Sequence, residues 1–226
     1  MIKPKTITDL FVEDIQKYGY ITEENFLKFL TICSKFANEQ LTVKTAQGDF
    51  GIFIKDLNLN LVKKKLPENK ELITQTFEKI QSKLSLLPFV PTHGDFNSSI
   101  LFENKDISFK GFHLAPFGYD LVSALYSTYF TPKDSSSEIT QQYEFSKNQR
   151  ATFIYSMNKL SIEHGIPQFT EFTGEFILCR AVFAAVRMDH TPKLQAWRYK
   201  VLKALLTDYL DGRRIKLPAL VGSIGL

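Results

Sequence analysis

The sequence predicts an α+β protein, because the spacing of its apolar residues changes along the chain. Residues 6–40 and 70–87 carry apolar side chains three and four positions apart, the spacing of one buried helix face. Between these segments and again after Pro88, short β-prone runs are bounded by Gly, Asn and Asp, as in hairpins. From Asp120 onward the spacing is helical once more. The predicted connections are short, which favours one α+β unit over two independent domains.

Composition and charge exclude several classes of protein. Of the 226 residues, 44% are hydrophobic and 23% charged, which argues against collagen-like and disordered chains. The net charge is only +4 and the basic residues are scattered, so neither nucleic acid nor a membrane surface is implied as a partner. The two cysteines lie far apart, and no apolar run approaches the roughly 18 residues that span a bilayer. With no signal peptide evident, we expect a cytoplasmic protein.

The N-terminal part is predicted to contain helices followed by a hairpin. Thr8 and Thr22 are candidate N-cap residues for the helices of residues 6–40. The runs 41–45 and 50–54 are β-prone and are joined by a turn that contains glycine. We therefore expect a β-hairpin to follow the first helices.

The C-terminal part is predicted to be mainly helical around one polar loop. A helix over residues 70–87 ends at Pro88 and is followed by a loop and a second short hairpin at 100–109. Helices then follow, separated by proline and glycine, over residues 120–130, 139–164, 170–189 and 193–211.

The sequence His93-Gly94-Asp95 joins two ionisable side chains through a glycine. It lies in the predicted loop, and loops that rigid elements hold in place often carry catalytic groups. Taken alone, the motif is also typical of an aspartate that caps backbone amides beside a packed histidine.

The motif belongs to a longer pattern of residues. The pattern comprises Leu87-Pro88-Phe89-Val90-Pro91-Thr92-His93-Gly94-Asp95-Phe96, Ile100-Leu101-Phe102, Gly111-Phe112 and Tyr119-Asp120-Leu121-Val122. It resembles the C-terminal lobe of the aminoglycoside phosphotransferase and choline kinase-like family. In that family an H-G-D-[LF] loop follows a long helix and precedes a hairpin, an acidic element and a Y-D-L-[AV] helix start. The resemblance implies a protein-kinase-like fold, with residues 1–66 as a reduced N-terminal lobe of helices and a β-hairpin, and residues 67–226 as a mainly helical C-terminal lobe.

By this resemblance, the protein would transfer a phosphoryl group from ATP to a hydroxyl of a small molecule. Asp95 would accept or orient the hydroxyl proton, and His93 would brace the loop. Asp120 would hydrogen-bond the backbone of the loop, a role close to that of an ordinary helix N-cap. Lys55 is the candidate for the phosphate-binding lysine of the N-terminal lobe, and Asn97 is the candidate ligand for Mg²⁺.

Several positions depart from the family pattern. Ile100 stands where the family has its metal-binding Asn, which leaves Asn97 or Ser99 as substitutes. The stretch after the second predicted hairpin offers His113 in place of the second carboxylate ligand. No glycine-rich phosphate loop is present, and the sequence favours interpreting Lys55 as an ordinary surface lysine.

Three functions therefore stay open. The first is an ATP-dependent small-molecule kinase whose acceptor the sequence does not name. The second is a catalytically degenerate kinase-fold protein, or pseudokinase, that binds a nucleotide, a small molecule or a protein partner; the short chain ahead of His93 favours this reading over a conventional kinase. The third is a metal-dependent hydrolase with His93, Asp95 and His113 as ligands.

Overall fold

The computed structural model describes residues 5–43, 48–97, 100–101, 114–130, 144–186, 192–215 and 217. Within these ranges the chain is mostly helical and contains one small antiparallel sheet of two strands, so the predicted α+β class is confirmed at this level. None of the helices in the described ranges is long and apolar enough to cross a membrane.

The described elements follow one another as helices interrupted by the two strands. In chain order they are α1 (Ile7–Tyr18), α2 (Glu23–Thr42), α3 (Phe50–Asp56), α4 (Leu59–Lys65), α5 (Lys70–Leu84), β1 (Phe89–Pro91), β2 (Leu114–Pro116), α6 (Tyr119–Tyr126), α7 (Lys147–Glu163), α8 (Thr173–Val186) and α9 (Pro192–Leu210). Short 3₁₀ helices occupy Pro67–Asn69, Ser127–Phe130 and Phe169–Phe172.

The first two helices begin at threonine caps. Thr6, rather than the predicted Thr8, caps α1: its side chain accepts a hydrogen bond from the Asp9 amide at 3.1 Å, and the Asp9 carboxylate accepts one from the Thr6 amide at 2.7 Å. Thr22 caps α2 as predicted. Gly19 separates the two helices in the left-handed conformation that favours glycine.

The β-hairpin predicted for residues 41–54 is wrong in the part that the structure describes. Helix α2 continues to Thr42, and α3 occupies the second predicted strand. Phe50 and Phe53 lie three positions apart, so a helix buries both rings on one face, whereas a strand would direct them to opposite faces. The Phe53 ring packs edge-on against Tyr119, with centroids 5.4 Å apart. The described N-terminal part is therefore helical, because this burial outweighs local β propensity.

The sheet forms from segments other than the predicted hairpins. Strand β1 pairs with β2, and Val90 lies opposite Ala115. Most of the second predicted hairpin, at residues 100–109, lies outside the described ranges. The Phe117 amide donates to the Pro88 carbonyl at 2.8 Å and extends the pairing toward α6. The strands thereby connect the end of α5 to the start of α6.

The predicted helix over 70–87 is confirmed as α5, and the later predicted helices are confirmed in their order as α6 to α9, with somewhat different ends. Residues 139–143 and 187–189 of those predictions lie outside the described ranges. Helix α8 packs against both α6 and α9, and most of its side chains are buried. Two of those buried side chains, Glu175 and Arg180, are charged. Such groups need partners, because burying an unpaired charge is costly.

Phenylalanine side chains fill much of the core. Between α1, α2 and α7, the ring of Phe29 lies 5.1 Å from that of Phe145 and 5.8 Å from that of Phe153, both nearly parallel. Phe11 and Phe26 close the same cluster with edge contacts. The high phenylalanine content of the sequence is therefore explained in part by packing.

Candidate functional site

Asp120 holds the backbone of the His93-Gly94-Asp95 loop. Its carboxylate is 1% exposed and accepts hydrogen bonds from the His93 amide at 2.7 Å and from the Gly94 amide at 3.0 Å. These are the contacts that the sequence analysis expects of Asp120. Burial raises the pKa of Asp120 to about 7, because desolvation outweighs the two amide hydrogen bonds and the nearby positive charge of Arg180.

The same loop is tied to helix α2 by packing and by an amide side chain. Phe96 is fully buried and stacks on Phe36, with ring centroids 4.2 Å apart. Gln40 donates from Nε2 to the Pro91 carbonyl at 2.7 Å and, at 3.4 Å, to the Asp120 carboxylate. The loop is thus fixed by α2 as well as by α6.

The Asp95 side chain makes an ion pair with a buried arginine from α8. Arg180 Nη2 donates to Asp95 Oδ1 at 2.6 Å. The Arg180 side chain is 7% exposed, whereas that of Asp95 is 30% exposed. Asp95 therefore lies at the surface end of the pair, and the loop is held by a third element.

The sequence analysis missed Arg180, although the sequence contains an indication of it. Arg180 is the one charged residue within Phe176–Val186, a run that is otherwise apolar. A cation in a buried apolar helix requires a partner from elsewhere in the fold. The partner, Asp95, lies 85 positions earlier, so the sequence alone does not identify it.

His93 lies beside Asp95 and Phe96. Burial lowers the pKa of the half-buried His93 imidazole, although the charge of Asp95 acts in the opposite direction. The His93 ring meets the Phe96 ring edge-on, with centroids 6.3 Å apart. The imidazole is therefore mostly neutral at pH 7 and packs within the loop.

The two remaining predicted site residues, Asn97 and Lys55, lie in different parts of the structure. The Asn97 side-chain amide donates to the Asp95 carbonyl at 2.9 Å, so Asn97 belongs to the loop. Lys55 is exposed on α3, and none of its contacts in the described structure joins it to the loop. The structure thus brings His93, Asp95, Asn97 and Asp120 together but does not bring in Lys55.

The described residues around Asp95 do not fit Mg²⁺ well. Mg²⁺ takes oxygen ligands in a near-octahedral shell, but Asp95 Oδ1 already accepts from the guanidinium of Arg180, a positive charge beside the place a metal would take. No group of three or more His, Cys, Asp or Glu side chains in the described ranges could hold a metal ion. Ser99 and His113 lie outside those ranges. We therefore assign Asn97 no metal-binding step.

A small cavity lies between the end of α2 and the start of β1. Its volume is about 120 Å³, and Gln40, Val90 and His164 are among its lining residues. Sites for small organic ligands occupy roughly 300–1,000 Å³. The cavity is therefore too small for a nucleotide.

No protein-family model, curated protein or solved structure matches this chain. The likeness to the aminoglycoside phosphotransferase and choline kinase-like family rests on the quoted motif residues. A function for this chain is therefore inferred from the geometry around Asp95.

Proposed function

We propose that the protein transfers a phosphoryl group from ATP to a hydroxyl of a small molecule at the loop of residues 92–97, within a protein-kinase-like fold. The observation that carries this proposal is the placement of Asp95. Its carboxylate is partly exposed at a loop whose backbone amides are held by the buried Asp120. A carboxylate held in this way can accept a hydrogen bond from a substrate hydroxyl and orient it.

In the proposed reaction, the hydroxyl oxygen forms a bond to the γ-phosphorus of ATP. The bond from that phosphorus to the β–γ bridging oxygen breaks, and ADP leaves. The hydroxyl proton passes to Asp95 or to an oxygen of the transferred group. Because the transition state of phosphoryl transfer is loose, orientation matters more than base strength. The ion pair with Arg180 is compatible with an orienting role for Asp95.

A cytoplasmic location is part of the same proposal. It is supported by the need of the proposed reaction for ATP. The small, scattered positive charge gives no support for a nucleic acid or a membrane as partner.

A second candidate is a kinase-fold protein that binds ligands without turnover. The observation that favours it is the ion pair itself, because the oxygen that would receive the hydroxyl already accepts from Arg180. Such a protein would bind a nucleotide, a small molecule or a protein partner.

Substitution of Asp95 separates the two candidates. Binding is measured first, as the shift in melting temperature with ATP in the presence and absence of Mg²⁺. ADP formation is then measured with hydroxyl compounds that include aminoglycosides and choline. For a transferase, Asp95→Asn lowers kcat by roughly 10²–10⁴-fold while ATP binding is retained, because the carboxylate acts in the chemical step.

Three other outcomes of the ATP-binding and ADP-formation measurements also distinguish the two candidates. ATP binding without ADP formation by the wild-type protein supports the second candidate. Absence of ATP binding under both conditions contradicts the proposed transferase. Unchanged turnover in Asp95→Asn removes Asp95 from the mechanism.

A further inference from the structure

Arg180 carries hydrogen-bond donors that the described part of the chain does not satisfy. Nη2 donates to Asp95, but Nε and Nη1 are buried and find no acceptor among the described residues. Buried polar groups in folded proteins almost always have a partner. The side chain is 7% exposed, so bulk water does not supply these acceptors. Nε and Nη1 are therefore candidates to donate to an acceptor that the described residues do not supply.

Arg180 lies where the loop, α6 and α8 meet. Its charge acts to lower the pKa values of both Tyr119 and Asp120 on α6, against the effect of their burial. The Tyr119 hydroxyl is also buried and has no hydrogen-bond partner in the described ranges. The positively charged guanidinium of Arg180 therefore lies beside the Asp95 carboxylate, where the described residues do not fit Mg²⁺.

Each two-donor edge of the guanidinium combines Nη2 with either Nε or Nη1, so a ligand that binds such an edge competes with Asp95 for Nη2. A guanidinium is a planar fork that binds two oxygens of one phosphoryl group at once. One water molecule or one hydroxyl oxygen would accept from only one donor of such an edge, whereas two oxygens of an oxyanion accept from both. Asp95 accepts from Nη2, whereas Nε and Nη1 have no acceptor among the described residues, so a ligand with two oxygens gains a contact that the resting pair lacks.

We propose that Arg180 binds the phosphoryl group of the ligand in competition with Asp95. The ion pair is the resting arrangement, and a phosphoryl oxygen displaces the carboxylate from the guanidinium. This displacement makes Asp95 Oδ1 available to a substrate hydroxyl. The inference rests on the proposed function of the same loop and deepens it, because it names the protein cation that holds the phosphoryl group.

The experiment measures the affinity of the full chain for inorganic phosphate by calorimetry. It is performed with a metal chelator present and with sodium chloride matched for ionic strength. The variants are Asp95→Asn, Arg180→Lys and the double variant, and the control is Arg213→Lys at an exposed position. An acetate titration distinguishes a carboxylate from a phosphoryl group as the preferred ligand.

Removal of the competing carboxylate strengthens phosphate binding. We expect Asp95→Asn to bind phosphate about tenfold more tightly than the wild-type protein, because the buried guanidinium loses its counterion. The double variant loses this gain because lysine does not provide the planar fork. Arg213→Lys leaves phosphate affinity unchanged. Chelation has no effect on phosphate affinity, and acetate binds more weakly than phosphate.

The inference is overturned if Asp95→Asn binds phosphate no more tightly than the wild-type protein. It is also overturned if the gain persists in the double variant, if the gain requires Mg²⁺, or if chloride reproduces it. Asp95→Asn leaves Arg180 in place, so the test stands even where Arg180→Lys unfolds. If the protein binds phosphate as expected but does not turn over ATP, only the proposed transferase is contradicted. If it turns over ATP but its phosphate affinity does not depend on Arg180, only this inference is contradicted.

Discussion

Two arginines on neighbouring helices are buried to almost the same extent, yet they use different acceptors. Arg198 on α9 is 6% exposed and donates to the Phe130 carbonyl at 2.9 Å and the Ala184 carbonyl at 3.0 Å. Arg180 on α8 is 5% exposed when its backbone is counted with the side chain, and it donates to the Asp95 carboxylate, while two of its nitrogens have no acceptor in the described structure.

The difference separates a structural arginine from a ligand-binding one. The acceptors of Arg198 are main-chain carbonyls of a 3₁₀ helix and of α8, so its contacts form with the fold. The acceptor of Arg180 is a side chain on a loop, and a loop side chain can move without unfolding a helix. Substitution of Arg198 should therefore affect stability, and substitution of Arg180 should affect binding.

The largest expected effect is the loss of stability in Arg198→Met. Methionine keeps much of the apolar packing but removes the Arg198 hydrogen bonds to the Phe130 and Ala184 carbonyls, at about 1–3 kcal/mol for each. We expect the free energy of unfolding to fall by about 3 kcal/mol or more. Urea denaturation measures the change. In the matched control Arg213→Met, an exposed side chain is replaced and the change stays within about 0.5 kcal/mol.

The second effect is a pH dependence that comes from Asp120. Its pKa of about 7 in the folded protein lies above the usual 3.8. The folded state therefore retains a proton that the unfolded state loses, and this contribution to stability decreases as pH rises from about 4 to about 7. We expect the free energy of unfolding of the wild-type protein to decrease by about 2 kcal/mol relative to Asp120→Asn between pH 5 and 7. Parallel pH profiles from denaturation of the two proteins would contradict this explanation.

The smallest of the stability effects is expected for Arg180→Met. Its Nε and Nη1 have no hydrogen bonds to lose in the described structure, and the Asp95 side chain, which loses the ion pair with Arg180, is partly exposed. We expect the free energy of unfolding to decrease by about 1 kcal/mol. The expected decrease is small because solvent reaches Asp95 and screens its ion pair with Arg180. The measurement is the same urea denaturation. A decrease in the free energy of unfolding equal to that of Arg198→Met would remove the distinction between the two arginines.

The helices that were predicted correctly are those whose formation depends on the local pattern of capping and apolar residues. Thr22 caps α2 as expected, and the apolar spacing of residues 70–87 identifies α5. The described residues of segment 41–54, which are 41–43 and 48–54, do not form the predicted strands, because the structure of short β-prone runs depends on what they pack against. There the packing of Phe53 on Tyr119, far along the chain, decides the structure.

The candidate site was only partly predictable for a similar reason. The contact of Asp120 with the loop followed from a motif, and the structure contains it. The contact of Arg180 with Asp95 spans 85 positions and depends on how α8 packs beside the loop. A lone charge in an apolar helix predicts that a partner exists, but tertiary packing decides which one it is.

The most direct test of the distinction between the arginines is a pair of crystal structures of the wild-type protein, one with inorganic phosphate and one without. We predict phosphate oxygens within hydrogen-bonding distance of Arg180 and the Asp95 carboxylate displaced from it, while the contacts of Arg198 to Phe130 and Ala184 stay unchanged. Phosphate bound elsewhere, with the Arg180–Asp95 ion pair intact, would contradict the account.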